Sequence, residues 1–297
     1  SPLSLVILVP SGATCSIEPA VAIDVPAAIA FSPNNIPNRL KNLIGNKVQF
    51  DISNSNEWSH NLLIEAGLKV VEKEDPCTLP KACKNSVEIE GMKNAHIRDA
   101  IAVCTFLAWL DRKVKNGKLY DEGALAEKLD GFRSKQAGFR GKSFDTISAA
   151  AGNAAMCHYN HKNSDKPALL EMDSVYLVDS GGQYWDGTTD ITRTVSIGEV
   201  SDFMKRTFTL VLKGHIAVVT SNLKKFNTGK KIDSRARHFL KKDGLDYAHG
   251  TGHGVGFFSN VHEGPQSITK INTIKLEEGM IVSNEPGYYK KGHYGIR

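Results

Sequence analysis

A chain of 297 residues is too long for one small core and sets an expectation of about two domains. Its 41% hydrophobic and 23% charged residues are those of an ordinary globular protein, which excludes a disordered, collagenous or coiled-coil chain. The net charge of +5 is the balance of 37 basic and 32 acidic residues of interspersed sign, which does not favour a polyanion-binding role.

Residues 3–9 and 20–25 read as strands separated by a Ser-Gly turn. The apolar start lacks a basic leader, so it does not read as a signal peptide, and no apolar stretch reaches membrane-spanning length. Helices are predicted over 37–44, where Pro37 suits a first helical turn, and over 56–66, with strands at 47–51 and 68–71. Residues 1–80 therefore read as part of a small α/β domain, and 73–82, with Pro76 and Pro80, as a linker. From Asn85 a helical pattern runs to about Val114, with Met92, His96, Ala100, Val103 and Leu107 at helical spacing. A second helix covers 123–137. Strands follow at 146–149, 175–179 and 191–197, then helices at 201–221 and 232–243. The last part returns to strand at 256–261, 280–283 and 288–289. This segregated order of helices and short strands makes residues 81–297 an α+β domain.

The densest basic runs, Lys224-Lys225, Lys230-Lys231 and Lys241-Lys242, lack interleaved aromatics, so they read as solvated surface rather than a nucleic-acid site. The five cysteines (Cys15, Cys77, Cys83, Cys104 and Cys157) are odd in number and lack CxxC spacing, as expected of reduced thiols in a cytoplasmic protein.

The chemistry gathers in the second half. Asp179 ends the apolar run Val175-Tyr176-Leu177-Val178. Asp190 stands eleven residues later, after the turn Ser180-Gly181-Gly182-Gln183, and opens Ile191-Thr192-Arg193-Thr194. Antiparallel strands joined by such a hairpin can bring the two carboxylates together, and facing carboxylates need a cation between them to stay ionised. Hard oxygen donors suit Mn²⁺, Zn²⁺ or Co²⁺. Next comes His249-Gly250-Thr251-Gly252-His253-Gly254-Val255-Gly256, whose four glycines let backbone pass close to a ligand and whose imidazoles are common metal donors. It lacks the Lys-Ser/Thr ending of a phosphate loop. Val261-His262-Glu263-Gly264-Pro265 adds a third histidine. In Val282-Ser283-Asn284-Glu285-Pro286-Gly287, the proline pushes Glu285 to extended geometry. Each residue alone has a bland reading: a strand end, a solvated loop histidine, a surface glutamate. Together they suit a dinuclear hydrolase, in which paired cations activate water and polarise a carbonyl.

In their order these motifs resemble the Xaa-Pro aminopeptidases, of the pita-bread metallopeptidases, and within them the large, three-domain branch. The resemblance covers about residues 82–297 strongly and 1–80 weakly. It implies two divalent ions, manganese first and zinc or cobalt as alternatives, held by Asp179, Asp190, His253 and Glu285. It makes Glu285 also the base on a bridging hydroxide's water. It places His158, which the residues alone suggest is a partly buried structural histidine, in the substrate pocket as a binding or proton-relay group beside His249 and His262. Asp186, in the Trp185-Asp186-Gly187 turn, is explained by turn chemistry and is not a ligand. The implied activity releases the first residue of peptides with proline second, the implied partners being such peptides and a second copy in a homodimer. Prolidase is the alternative, and a non-catalytic pita-bread binding protein the alternative of another class. The chain is expected to be trimmed at both ends: the family's first domain has no counterpart, and its fifth ligand, a glutamate after Gly-Ile-Arg, falls beyond Arg297.

Overall fold

The computed structural model describes residues 33–297. The strands predicted at 3–9 and 20–25 lie outside that range. The chain divides between Thr78 and Leu79 into two compact units.

In the first unit the described elements alternate: α1 (Ile36–Leu40), β1 (Lys47–Phe50), α2 (Glu57–Glu65) and β2 (Lys69–Glu72). Asn56 caps α2, its side chain accepting from the Ser59 N–H at 2.8 Å. The two strands run parallel, with Val48 opposite Val70, as a strand–helix–strand connection requires. Leu40, Val48, Phe50, Leu63 and Leu68 form the core between them. The segment read as a linker ends in a short helix, α3 (Thr78–Ala82). Pro80 falls in its first turn, where a missing N–H breaks no bond.

The second unit opens with α4 (Ser86–Lys115), set by a reciprocal cap: the Asn85 side chain accepts from the Val87 and Glu88 N–H groups, and Glu88 accepts from the Asn85 N–H. Its buried stripe is Met92, Ala95, Asp99, Ala102, Val103, Phe106 and Leu110. His96, Ala100 and Leu107 stand at its margin rather than in it. The stripe is centred on a charged residue, Asp99, which an apolar-spacing argument passes over. After α5 (Glu122–Arg133) come β3 (Phe139–Lys142), β4 (Ile147–Ala150), β5 (Ser174–Ser180), β6 (Gly182–Tyr184), β7 (Gly187–Thr188) and β8 (Ile191–Ile197). Then follow α6 (Asp202–Val219), α7 (Gly229–Lys242), β9 (Gly252–Gly254), β10 (Glu263–Ile268), β11 (Tyr288–Lys290) and β12 (Tyr294–Ile296).

The element that organises this unit is β5. It is the central strand of the antiparallel sheet β4-β5-β8, and all seven of its residues are buried. Tyr176 and Val178 pack with Val103, Phe106 and Leu110 of α4 and Leu125 and Leu129 of α5. Val175 packs with Val211 of α6, Leu240 of α7 and Tyr294 and Ile296 of β12. A strand covered on both faces reads as an unbroken apolar run, and the alternation puts Asp179 on the face of Val175 and Leu177.

Two predicted features differ. The connection from Asp179 to Asp190 is more than a turn, because β6 and β7 form their own hairpin and join β3 in a separate sheet. Residues 256–261 are not a strand: the Gly256 N–H bonds back to Asn260 O at 3.0 Å, closing a loop in which Phe258 has φ +44°. The extended segments lie on either side, as β9 and β10, while 280–283 contributes isolated bridges alone.

Behind the sheet, Asp99 and Arg133 form a fully buried pair. Asp99 also accepts from Tyr184 OH at 3.2 Å and from Thr189 Oγ1, and Arg133 Nη2 donates to Ser180 Oγ at 3.1 Å. Ser180 and Thr189 directly adjoin Asp179 and Asp190. Replacing Arg133 with methionine strands the Asp99 charge and should lower the unfolding free energy by about 3–5 kcal/mol in a urea titration. An unchanged midpoint would mean that the Asp99 charge is accommodated without Arg133.

Candidate metal centre

Asp190, His253 and Glu285 come from three separate segments, and one donor atom of each lies within 4.8 Å of the other two. His253 Nε2 is 3.1 Å from Asp190 Oδ2 and 3.1 Å from Glu285 Oε1. Its other nitrogen, Nδ1, donates to Gly254 O at 2.8 Å, which orients the ring with Nε2 toward two carboxylate oxygens. Three groups so placed need a cation among them.

The backbone that achieves this is tightly crossed. The Glu285 N–H donates to Thr251 O at 2.7 Å and the Ser283 N–H to His253 O at 2.8 Å. A Cβ on Gly252 would stand 2.0 Å from Ser283 O, so nothing larger than glycine lets β9 lie against this strand. Ser283 Oγ accepts from the His253 N–H at 3.0 Å and donates to Glu285 Oε1. Arg237 of α7 fixes the loop that leads into β9: its guanidinium donates to Tyr247 O and His249 O, both at 2.6 Å, and to Asp233 and Asp246, both at 2.7 Å.

Asp179 lines the same cavity of about 540 Å³, which it shares with Asp190, His253, Glu285, His158, His249, His262 and Arg297. It stands outside the cluster of three. Its Oδ2 accepts from Arg297 Nη2, and its Oδ1 is buried with no hydrogen-bond partner among the described residues. An orphaned, buried carboxylate oxygen facing two further carboxylates fits a second cation.

The charges respond accordingly. Burial lowers the His253 basicity, but hydrogen bonds to Asp190 and Glu285 outweigh it and raise the pKa to about 10. Burial works to raise Glu285, yet His253 and Ser283 hold its carboxyl down at about 2. Burial pushes Asp179 up to about 7 against the pull of Arg297, with Asp190 and Glu285 adding to the rise. His249 and His262 are both pushed down by burial. His249 has both nitrogens engaged, Nδ1 donating to Gly250 O at 2.6 Å and Nε2 accepting from Tyr289 OH at 2.8 Å. The His262 ring sits 4.1 Å from that of His253, centroid to centroid, nearly edge to face. Asp186 lies elsewhere, paired with Arg98 of α4.

Residues 90–297 match the sequence profile of metallopeptidase family M24. The chain belongs to this family. Two fungal relatives of this M24 chain are named probable Xaa-Pro aminopeptidase P. That of Arthroderma gypseum is 47% identical over 257 residues, covering 85% of this chain and 40% of the relative. That of Laccaria bicolor is 51% identical over 220 residues, covering 73% and 34%. The M24 chain thus spans about 40% of the length of curated relatives it matches. Among solved structures, an X-prolyl aminopeptidase from Caenorhabditis elegans, described as a cytosolic enzyme with a di-nuclear active site, superposes with a TM-score of 0.72 at 34% identity over 84% of this chain and 48% of that one. An Xaa-Pro dipeptidase from Bacillus anthracis gives 0.75 at 26% identity over 89% and 71%. The pita-bread α+β fold is common to them.

Sequence reasoning missed Ser283, Tyr289, Arg237 and Arg297 as parts of the site. Ser283 was within reach, since residues two apart on an extended segment share a face with Glu285. The role of Arg237 lies wholly in backbone carbonyls, which leave no trace in residue types.

The raised His253 pKa has a stability consequence. A group raised from 6.5 contributes stability in full below that value and loses it as pH rises through about 10. Metal-free protein should therefore show a urea midpoint that falls between pH 6 and pH 10, and His253→Gln should remove most of that fall. Parallel slopes in parent and variant would exclude His253 as the titrating group.

Proposed function

We propose that this chain carries the catalytic part of a metal-dependent aminopeptidase that releases the first residue of peptides with proline in second position. The observation that carries the reading is the convergence of His253 Nε2 with an oxygen of Asp190 and one of Glu285, at 3.1 Å each, inside a cavity large enough for a short peptide. The names of the fungal relatives and of the C. elegans enzyme support the proline preference.

Asp179, Asp190, His253 and Glu285 are the residues that would hold two divalent cations. Bound there, such a pair, manganese in our reading, would supply Lewis-acid polarisation of the scissile carbonyl and a lowered pKa for water. The chain's own groups do the rest. Glu285, kept ionised, takes the proton of the attacking water at its carboxylate. Arg297 anchors Asp179 from the side away from its free Oδ1. His262 and His158, which both line the cavity, would hydrogen-bond the substrate and return a proton to the leaving amine. His249 holds Tyr289, which in turn accepts from Arg297 Nη1 at 3.1 Å. We also place the protein in the cytoplasm. In support, the described cysteines are unbridged, and no helix among the described residues is long and apolar enough to cross a membrane.

With manganese supplied, free arginine should appear from Arg-Pro-Pro and not from Arg-Ala-Pro. Cleavage confined to the dipeptide Arg-Pro would point to a dipeptidase, as in the B. anthracis relative, and no cleavage with metal bound would point to a binding role. Glu285→Gln should lower kcat by about a hundredfold or more. Because His253 must lose its proton to accept a metal, Mn²⁺ affinity should rise with pH by up to about tenfold per unit, with protons released on binding. An affinity flat from pH 6 to pH 9 would remove His253 from the ligand set.

A further inference from the structure

Glu122, the first residue of α5, is fully buried and has no part in the cation cluster. Its carboxylate accepts four hydrogen bonds. Oε1 takes the Ala150 N–H at 2.8 Å and Asn153 Nδ2 at 2.9 Å, and Oε2 takes Tyr159 OH at 2.7 Å and the Ala168 N–H at 3.1 Å. Asn153 Nδ2 also donates to Tyr159 OH at 2.9 Å, and Ser148 Oγ donates to the Glu122 carbonyl at 2.7 Å. Three of the four acceptances fall on one segment, from the end of β4 to Tyr159. That segment supplies Cys157, His158 and Tyr159 to the wall of the cavity.

The segment holds a short 3-10 helix, Ala151–Ala155, whose first residue is strained. Ala151 is in the left-handed region at φ +44°, which costs an alanine roughly 1 kcal/mol or more. On its other side β12 presses so closely that a Cβ on Gly295 would stand 1.8 Å from Ala154 O. A strained turn persists where its surroundings over-determine it. Glu122 supplies that determination from beneath, at a helix N-terminus that itself favours negative charge.

We propose that Glu122 is the positioning residue of the substrate-facing loop, setting through Asn153 and Tyr159 where His158 stands in the cavity. This rests on the reading that His158 meets the substrate. Glutamine cannot replace Glu122 quietly. Wherever its amide nitrogen points, it sets a donor against a backbone N–H, of Ala150 or of Ala168. Tyr159→Phe is the milder probe, cutting the link next to His158 while leaving both backbone bonds.

The test follows alkylation of Cys157 by iodoacetamide, read by peptide mass spectrometry with the exposed Cys104 as internal reference, together with Mn²⁺ binding and the kinetics of Arg-Pro-Pro. In Glu122→Gln the Cys157 rate should rise about tenfold or more relative to Cys104 as the loop opens locally, with a smaller rise in Tyr159→Phe. Mn²⁺ affinity should stay within about threefold of the parent, since none of its ligands sits on the loop, while kcat falls more than KM changes. Parent-like Cys157 labelling in both variants would overturn the proposal. So would equal loss of Mn²⁺ binding and loop protection in both, which would make Glu122 a general structural group. A parent chain that binds Mn²⁺ but hydrolyses nothing would sink the peptidase reading alone, leaving the labelling comparison to decide the role of Glu122.

Discussion

Three carboxylates brought into one buried cavity are the constraint on which this architecture depends. Asp179, Asp190 and Glu285 repel one another, and burial removes the water that would screen them. The cations available within the chain are Arg297, which Asp179 engages, and a protonated His253. Much of the second unit can be understood as scaffolding that forces the carboxylates together regardless. The apolar β5 carries Asp179 inward, the Asp99–Arg133 pair grips the residues adjoining both aspartates, and Arg237 fixes the carbonyls that lead into His253.

The scaffold works by division of labour between charged groups of opposite setting. Asp99–Arg133 is closed by the hydroxyls of Ser180, Tyr184 and Thr189, with Arg133 Nη1 left over, and Asp233–Arg237 by Thr251 and nearby carbonyls. They are stiff and chemically silent. The cavity group is left open, with an orphan oxygen on Asp179 and three donor atoms of Asp190, His253 and Glu285 converging on one point. Such contrast between satisfied and unsatisfied buried polar groups separates structural from reactive charge here, where burial alone does not.

What was legible in the sequence followed from local physics. The run at 175–178 marks a doubly covered strand because each residue must be apolar, and the helices predicted from Asn56 and Asn85 begin at residues that prove to cap them. Glycines around His253 announced backbone passing close to a ligand; at Gly252 the close neighbour is the Ser283 backbone, whose oxygen would stand 2.0 Å from an added Cβ. The failures have an equally physical origin. Residues 256–261 look extended, but one local loop-closing bond, from Gly256 N–H to Asn260 O, and a left-handed Phe258 decide otherwise. Asp99 and Glu122 were invisible because a buried carboxylate has the same letter as an exposed one, and only its donors, up to 46 residues away for Glu122, give it meaning. Asp179, Asp190, His253 and Glu285 could be named through the family resemblance. That Asp179 turns to Arg297 while the other three converge could not.

The bond from Arg297 to Asp179 spans 118 residues, and the bonds between Arg297 and Thr194 span 103. Each such contact must close a long loop before it contributes, a cost that rises only slowly with length. The cavity is therefore complete only once these distant segments have met. During synthesis β5 and Asp179 emerge long before the strand that completes their surroundings. Until then an apolar strand with an uncompensated acid at its end stays partly uncovered, the kind of segment that chaperones retain. A centre distributed so widely along the chain makes its own completion a check that the entire unit has folded.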